Sequence, residues 1–126
     1  MLYEINRVLK DSGLIFLTTP NSICARNVYK IHQGYAPHFF MKYSRALRLG
    51  KHNIEYDPTQ IVALLNGAGF KIRKLWTEDL FASPVPEAIE ILRDTGGSLE
   101  HRGDNLLVIA EKEGQPRERF PDAVYF

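Results

Sequence analysis

One cysteine, Cys24, among 126 residues excludes an internal disulfide and cannot make a zinc site by itself. No apolar run approaches the ~20 residues that cross a bilayer, so no membrane span is expected. The opening Met1-Leu2-Tyr3-Glu4-Ile5 lacks the basic start and apolar core of a secretory leader. These absences point to a reducing, cytoplasmic location. Acidic residues are missing altogether from Ser12 to Ile54, a segment holding Arg26, Lys30, Lys42, Arg45, Arg48 and Lys51. Of the 16 basic residues, 16 − 6 = 10 then remain elsewhere against all 15 acidic ones, a balance of −5 behind the net charge of +1. A basic segment in an acidic body reads either as a surface for something anionic or as a solvated helix face. Tyr35, Phe39, Phe40 and Tyr43 fall in the same segment, but a pI near 7.9 is not that of a dedicated nucleic-acid binder. A core-facing aromatic stripe is favoured over a nucleic-acid surface.

Glycine is also scarce where a nucleotide site needs it. Gly67-Ala68-Gly69 follows a helical pattern and precedes a strand pattern, the reverse of a phosphate-binding loop, and Gly96-Gly97 likewise ends a helix. The histidines show no H-x-x-x-H or H-E-x-x-H spacing, so no metal site is expected. No G-x-S-x-G surrounds Ser22 or Ser44, which leaves a hydrolase without support.

What is there is an alternation of helix and strand patterns. Leu2, Ile5 and Leu9, with Val8 beside them, predict a helix over 2–10 that stops at Gly13. Leu14-Ile15-Phe16-Leu17-Thr18-Thr19 is a near-continuous apolar run, as in a strand buried on both faces of a parallel sheet. Ser22 is placed to cap a helix running to Gln33, with Gly34 as its stop. Phe40, Tyr43 and Leu47 recur at helical spacing within 35–56, which suggests a short amphipathic helix. Asp57-Pro58-Thr59-Gln60 carries a capping Asp, a proline at the first helical position and Gln three residues after the cap. Ile61, Leu64, Leu65 and Ala68 then form one apolar stripe. Residues 70–77 alternate as a half-buried strand. Ser83-Pro84 opens a helix with Val85, Ile89 and Leu92 inward, and 105–110 is a last apolar strand. Residues 114–126 form a polar tail with little of its own to hold it. The sum is an α/β sandwich. Three strands are few for this much helix, and an apolar strand at 14–19 needs neighbours on both sides.

Three segments carry a family resemblance. Met1-Leu2-Tyr3-Glu4-Ile5-Asn6-Arg7-Val8-Leu9-Lys10, followed by Gly13-Leu14-Ile15-Phe16-Leu17-Thr18-Thr19-Pro20-Asn21, resembles the helix and fifth strand of class I S-adenosylmethionine-dependent methyltransferases, with their "E-x-x-R-V-L-K-P-G-G" and "T-x-P-N". His52-Asn53-Ile54-Glu55-Tyr56-Asp57 resembles the "H-x-R-E-Y-T" of the type 11 and type 23 branches. Ala63-Leu64-Leu65 and Ala68-Gly69-Phe70 resemble "L-L-x-x-A-G-F". Asp11-Ser12 stands where Pro-Gly is usual, and Ile54 replaces the common Arg and any substrate contact it makes.

The resemblance implies the C-terminal half of such a domain over 1–113: a partial Rossmann-like sandwich of fifth to seventh strands, the final strand antiparallel, with 22–56 as a helical insertion over the substrate cleft. S-adenosylmethionine would be the cofactor, held by residues expected upstream of Met1. Thr19, Asn21, His38 and Tyr56 would line the cleft, and Arg45, Arg48 and Lys51 would hold an anionic small-molecule or glycan acceptor. His52 would be the base, because imidazole titrates near working pH; a capping or packing histidine is the plain alternative. Two other classes stay open. The chain could be a non-catalytic module completing its sheet at the 14–19 edge against an N-terminal half or a second copy. It could also belong to another Rossmann-like enzyme.

Overall fold

A computed structural model describes residues 1–37, 54–81 and 84–125. The elements are α1 (Leu2–Val8), β1 (Leu14–Pro20), α2 (Ala25–His32), α3 (Pro58–Gly67), β2 (Phe70–Glu78), α4 (Pro86–Asp94) and β3 (Asn105–Lys112). The chain is a small α/β protein, and the three strands among the described residues form one open sheet in the order β1-β3-β2. The amphipathic helix expected from Phe40, Tyr43 and Leu47 lies outside the described residues. Residues 1–18, 57–76 and 106–126 make one compact unit; residues 19–56 and 77–105 make the other.

The first unit holds α1, α3, most of the sheet and the tail. At the start of β1, the Ser12 amide donates to the Lys112 carbonyl at 3.2 Å and Lys112 to Gly13 at 2.9 Å. At the start of β2, Glu113 donates to Gly69 at 3.0 Å. The last strand thus runs antiparallel to both neighbours. Its central place decides burial: β3 has Leu106, Leu107, Val108 and Ala110 all buried.

The run at 14–19 behaves differently from the expectation of burial on both faces. Leu14 and Phe16 are 60% and 62% exposed, Ile15 and Leu17 half-buried. Alternation of this kind marks a strand with one covered face, and among the described residues β1 has only β3 beside it in the sheet. Phe16 meets Trp76 on the open face with ring centroids 6.2 Å apart, and the Lys74 ammonium lies 4.6 Å from the Trp76 ring centre.

The capping box of α3 forms as its sequence requires: the Gln60 amide donates to the Asp57 carboxylate at 2.9 Å, and the Asp57 amide to Gln60 Oε1 at 3.1 Å. Ile61, Leu65 and Ala68 of this stripe are buried, as are Phe70, Leu106 and Val108. Full burial of each large apolar side chain contributes roughly 1.5–3 kcal/mol.

Two details of α1 depart from its pattern. Val8 is 69% exposed, whereas Asn6 is fully buried and donates to the carbonyls of Ala68 at 2.8 Å and Gly114 at 2.9 Å. The helix stops at Val8 because Leu9 is already extended.

The tail is held rather than loose. Arg117 and Glu118 donate to the Gly67 carbonyl at 2.7 and 3.0 Å, and Gln60 Nε2 donates to Ala123 at 3.2 Å. This close approach explains Gly67, where a Cβ would stand 2.5 Å from the Glu118 carbonyl oxygen.

The second unit holds α2, α4, the far ends of the strands and the loops between them. Helices α2 and α4 pack together, with Ala25, Ala88 and Leu92 buried. Helix α2 starts at Ala25 with Cys24 as its N-cap and no side-chain cap, not at Ser22. The Ser22 backbone is engaged elsewhere, donating to Tyr56 at 3.1 Å and accepting from Asn27 at 2.9 Å. Helix α4 follows its pattern at Leu92 and replaces Val85 and Ile89 by Ala88 as the most buried position of its first turn.

Candidate functional site

The end of β1 is built into the second unit by backbone pairing. Asn21 forms a parallel bridge with Tyr56, so Thr19-Pro20-Asn21 and Glu55-Tyr56, 35 residues apart in sequence between Asn21 and Tyr56, lie side by side. Asn27, in the first turn of α2, ties them further: its side-chain amide donates to the Ser22 carbonyl and, at 3.3 Å, to the Glu55 carboxylate. Glu55 is 5% exposed and Asn27 2%. A buried carboxylate needs such donors, because a charge taken out of water unpaired costs several kcal/mol.

Asn21 is 1% exposed, and its side chain serves the fold. Its Nδ2 donates to the carbonyls of His101 at 2.7 Å and Gly103 at 2.8 Å, and its Oδ1 accepts from the Ile23 amide at 3.3 Å. The loop it grips is tight. His101 has φ of 57°, and a Cβ on Gly103 would stand 2.6 Å from the Glu78 backbone nitrogen. Arg102 closes the ring from the other side, donating to the Ile23 carbonyl at 2.8 Å, and the Ala25 amide donates back to Arg102 at 2.8 Å. Asp104 accepts from the amides of Leu80 at 2.7 Å and Phe81 at 2.9 Å.

Cys24 sits within this frame at 6% exposure. Burial pushes its thiol above the ordinary 9.0; the backbone amides of Asn27 and Arg26 oppose this, while the charges of Glu55 and Asp104 add to it. A raised, buried thiol is a poor nucleophile.

Of the residues expected to line a cleft, Thr19 and Tyr56 are half-buried beside Asn21. His38, Arg45, Arg48, Lys51 and His52 lie outside the described residues. Glu55, Asn27 and the 101–104 loop were not singled out from sequence. Glu55 had a signal, being the first acidic residue after the acid-free stretch 12–54 and part of the His52–Asp57 segment. Asn27 had none, since its partners are fixed by tertiary structure.

Among the described residues, cavities open on two sides of α4 and α2 in this unit. One, about 600 Å³, is lined by residues of both charges, among them Asp79, Glu90, Arg93 and Arg102. The other, about 510 Å³, lies along α2 beside Arg26, Tyr29 and Lys30.

Among the described residues, the glycines do not fit a cradle for S-adenosylmethionine. Gly67 and Gly69 face the tail, a Cβ on Gly69 meeting the Gly114 carbonyl oxygen at 2.5 Å. No step through that cofactor follows from these side chains. Among the described residues no group of three or more His, Cys, Asp or Glu is placed to hold a metal ion. No helix among them is long and apolar enough to cross a membrane. No protein-family model and no curated protein matches the chain.

Proposed function

We propose that this chain is the acceptor-side half of an S-adenosylmethionine-dependent methyltransferase, acting on an anionic small molecule or glycan-type acceptor. The observation that carries the reading is the bridge between Asn21 and Tyr56. It joins the strand end that resembles "T-x-P-N" to the segment that resembles "H-x-R-E-Y-T". Two motifs of one cleft ought to meet in space, and these two do, with Glu55 pinned by Asn27. The antiparallel final strand agrees with the same Rossmann-like expectation.

In this reading the chain's residues position and deprotonate the acceptor. Thr19 and Tyr56 stand at the strand end, and Asn21 fixes the floor by gripping the 101–103 backbone. His52 would take the acceptor proton, and Arg45, Arg48 and Lys51 would hold the acceptor's anionic group. S-adenosylmethionine, bound by residues other than those described, would supply the electrophilic methyl group.

The test is transfer of labelled methyl groups. The chain is mixed with labelled S-adenosylmethionine, the cofactor-binding half of a class I methyltransferase and a panel of phosphorylated and carboxylated sugars. Label is expected in an acceptor, lost with His52→Ala and reduced with Arg45→Ala plus Arg48→Ala. Transfer that is the same without the chain overturns the proposal.

A second reading is favoured by one observation, the edge of β1 that is unpaired among the described residues, with Leu14 and Phe16 exposed. A strand edge of this kind pairs readily with another strand, from a second copy or a separate half. A stable oligomer that binds no acceptor would select this reading.

A further inference from the structure

Helix α2 and its C-cap present Arg26, Tyr29, Lys30 and Gln33 at spacings of three and four, hence on one face. That face forms one wall of the groove of about 510 Å³, which Tyr35 and Val85 complete. The volume falls within the range of about 300–1,000 Å³ usual for small-molecule sites. Its surface is mainly apolar, with the two cations, the Gln33 amide and the tyrosine hydroxyls as its polar groups. Among the described residues no acidic side chain lines it, and Arg26 has no acidic partner. The nearest sequence context reinforces this, since the whole stretch 12–54 lacks Asp and Glu. The larger cavity is a poorer anion site, because Asp79 and Glu90 share it.

From this arrangement we infer that the α2 groove binds the phosphorylated end of a sugar phosphate, with Arg26 and Lys30 on the phosphate and Tyr29 and Tyr35 against the ring. A guanidinium matches phosphate oxygens in a two-pronged geometry, and an ammonium adds a second charge without fixing direction. Flat aromatic side chains give the sugar ring apolar area at little cost in lost rotamer freedom. Tyr35 is 71% exposed, so its ring is accessible to a ligand in the groove. The inference rests on the anionic character of the acceptor in the proposed function and not on methyl transfer, and it assigns the phosphate to Arg26 and Lys30 in place of Arg45, Arg48 and Lys51.

The experiment is a nuclear magnetic resonance titration of the full chain with glucose 1-phosphate, alongside glucose and inorganic phosphate. Glucose 1-phosphate is expected to bind with a Kd of about 0.1–1 mM, as befits an open groove with two cations. Shifts should cluster on Arg26, Tyr29, Lys30, Gln33, Tyr35 and Val85, and binding should weaken as salt is raised. Arg26→Gln with Lys30→Gln should weaken it about tenfold or more, since each charge-assisted hydrogen bond is worth about that factor. Tyr35→Ala should weaken it about threefold. Shifts that map elsewhere, binding untouched by these variants, or inorganic phosphate binding as tightly as the sugar phosphate would each overturn the inference. The wild-type shift map and its salt dependence need no substitution, so a misfolded variant does not remove the test. Loss of methyl transfer with this binding intact would count against the methyltransferase reading alone.

Discussion

Replacement of Asn21 tests how the strand end is built. Asn21→Ala removes two donated hydrogen bonds, 2.7 and 2.8 Å long, and an accepted one of 3.3 Å, at a site 1% exposed. Each buried hydrogen bond contributes about 1 kcal/mol net, and carbonyls left without a donor add a penalty of about 1–3 kcal/mol. The accepted bond is long and its loss weak, and water entering the vacated space relieves part of the penalty. The expected loss is therefore about 2–4 kcal/mol, or roughly 8–16 °C in Tm for a chain of this size. Asn21→Asp is expected to be worse near neutral pH, because a carboxylate would face the His101 and Gly103 carbonyl oxygens. Burial and those oxygens raise the folded pKa of that new Asp, so its penalty grows as pH rises through the unfolded value and eases as pH falls. Urea unfolding followed by Trp76 fluorescence measures both variants, and amide exchange at 101–104 reports the loop itself. A loss below about 0.5 kcal/mol for Asn21→Ala, the level of an ordinary surface change, would refute the anchoring role.

Other outcomes follow from separate parts of the chain. Gly69 has φ of +85° and a Cβ there would crowd the Gly114 carbonyl oxygen, so Gly69→Ala should cost well over 2 kcal/mol, while Gly34→Ala, at φ of +81° in open space, should cost only about 1–2 kcal/mol. Thermal denaturation of the two variants side by side checks this. Asp57→Ala should cost about 1 kcal/mol through loss of the capping box, with Asp57→Asn or Asp57→Ser restoring most of it. Cys24 should resist alkylation in the folded chain and react on unfolding in urea. Because its folded pKa lies above the unfolded one, its contribution to stability is complete below about 9.0 and is lost as pH rises further; Cys24→Ala should flatten that alkaline decline in denaturant titrations.

Local chemistry explains which elements were legible in the sequence. The start of α3 could be read because Asp57, Pro58 and Gln60 act within one turn and need no distant partner. The strands read at 70–77 and 105–110 from their apolar pattern form over 70–78 and 105–112, and Gly96 and Gly69, read as closing helices, have positive φ. Elsewhere the deciding partner lies far along the chain. Ser22 has the composition of a cap, but its backbone pairs with Tyr56 and the helix begins later. The run 14–19 looked doubly buried, yet sheet order gives the central place to β3 and leaves Phe16 on an open face. The tail looked unsupported because its anchor, the Gly67 carbonyl, lies some fifty residues earlier, at the end of α3. At the candidate site the motif resemblance singled out Asn21 and Tyr56, which do meet. It did not reveal that the Asn21 amide is spent on the 101–103 backbone, nor that Asn27 holds Glu55.

The most direct test of the proposed division of labour is a calorimetric titration of S-adenosylmethionine, first into the chain alone and then into the chain with a cofactor-binding methyltransferase half. The expected result is no saturable heat for the chain alone up to about 1 mM, and binding to the pair that tightens when an anionic acceptor is added. Micromolar binding to the chain alone, or a pair in which acceptor and cofactor ignore each other, would contradict the assignment of this chain to the acceptor side.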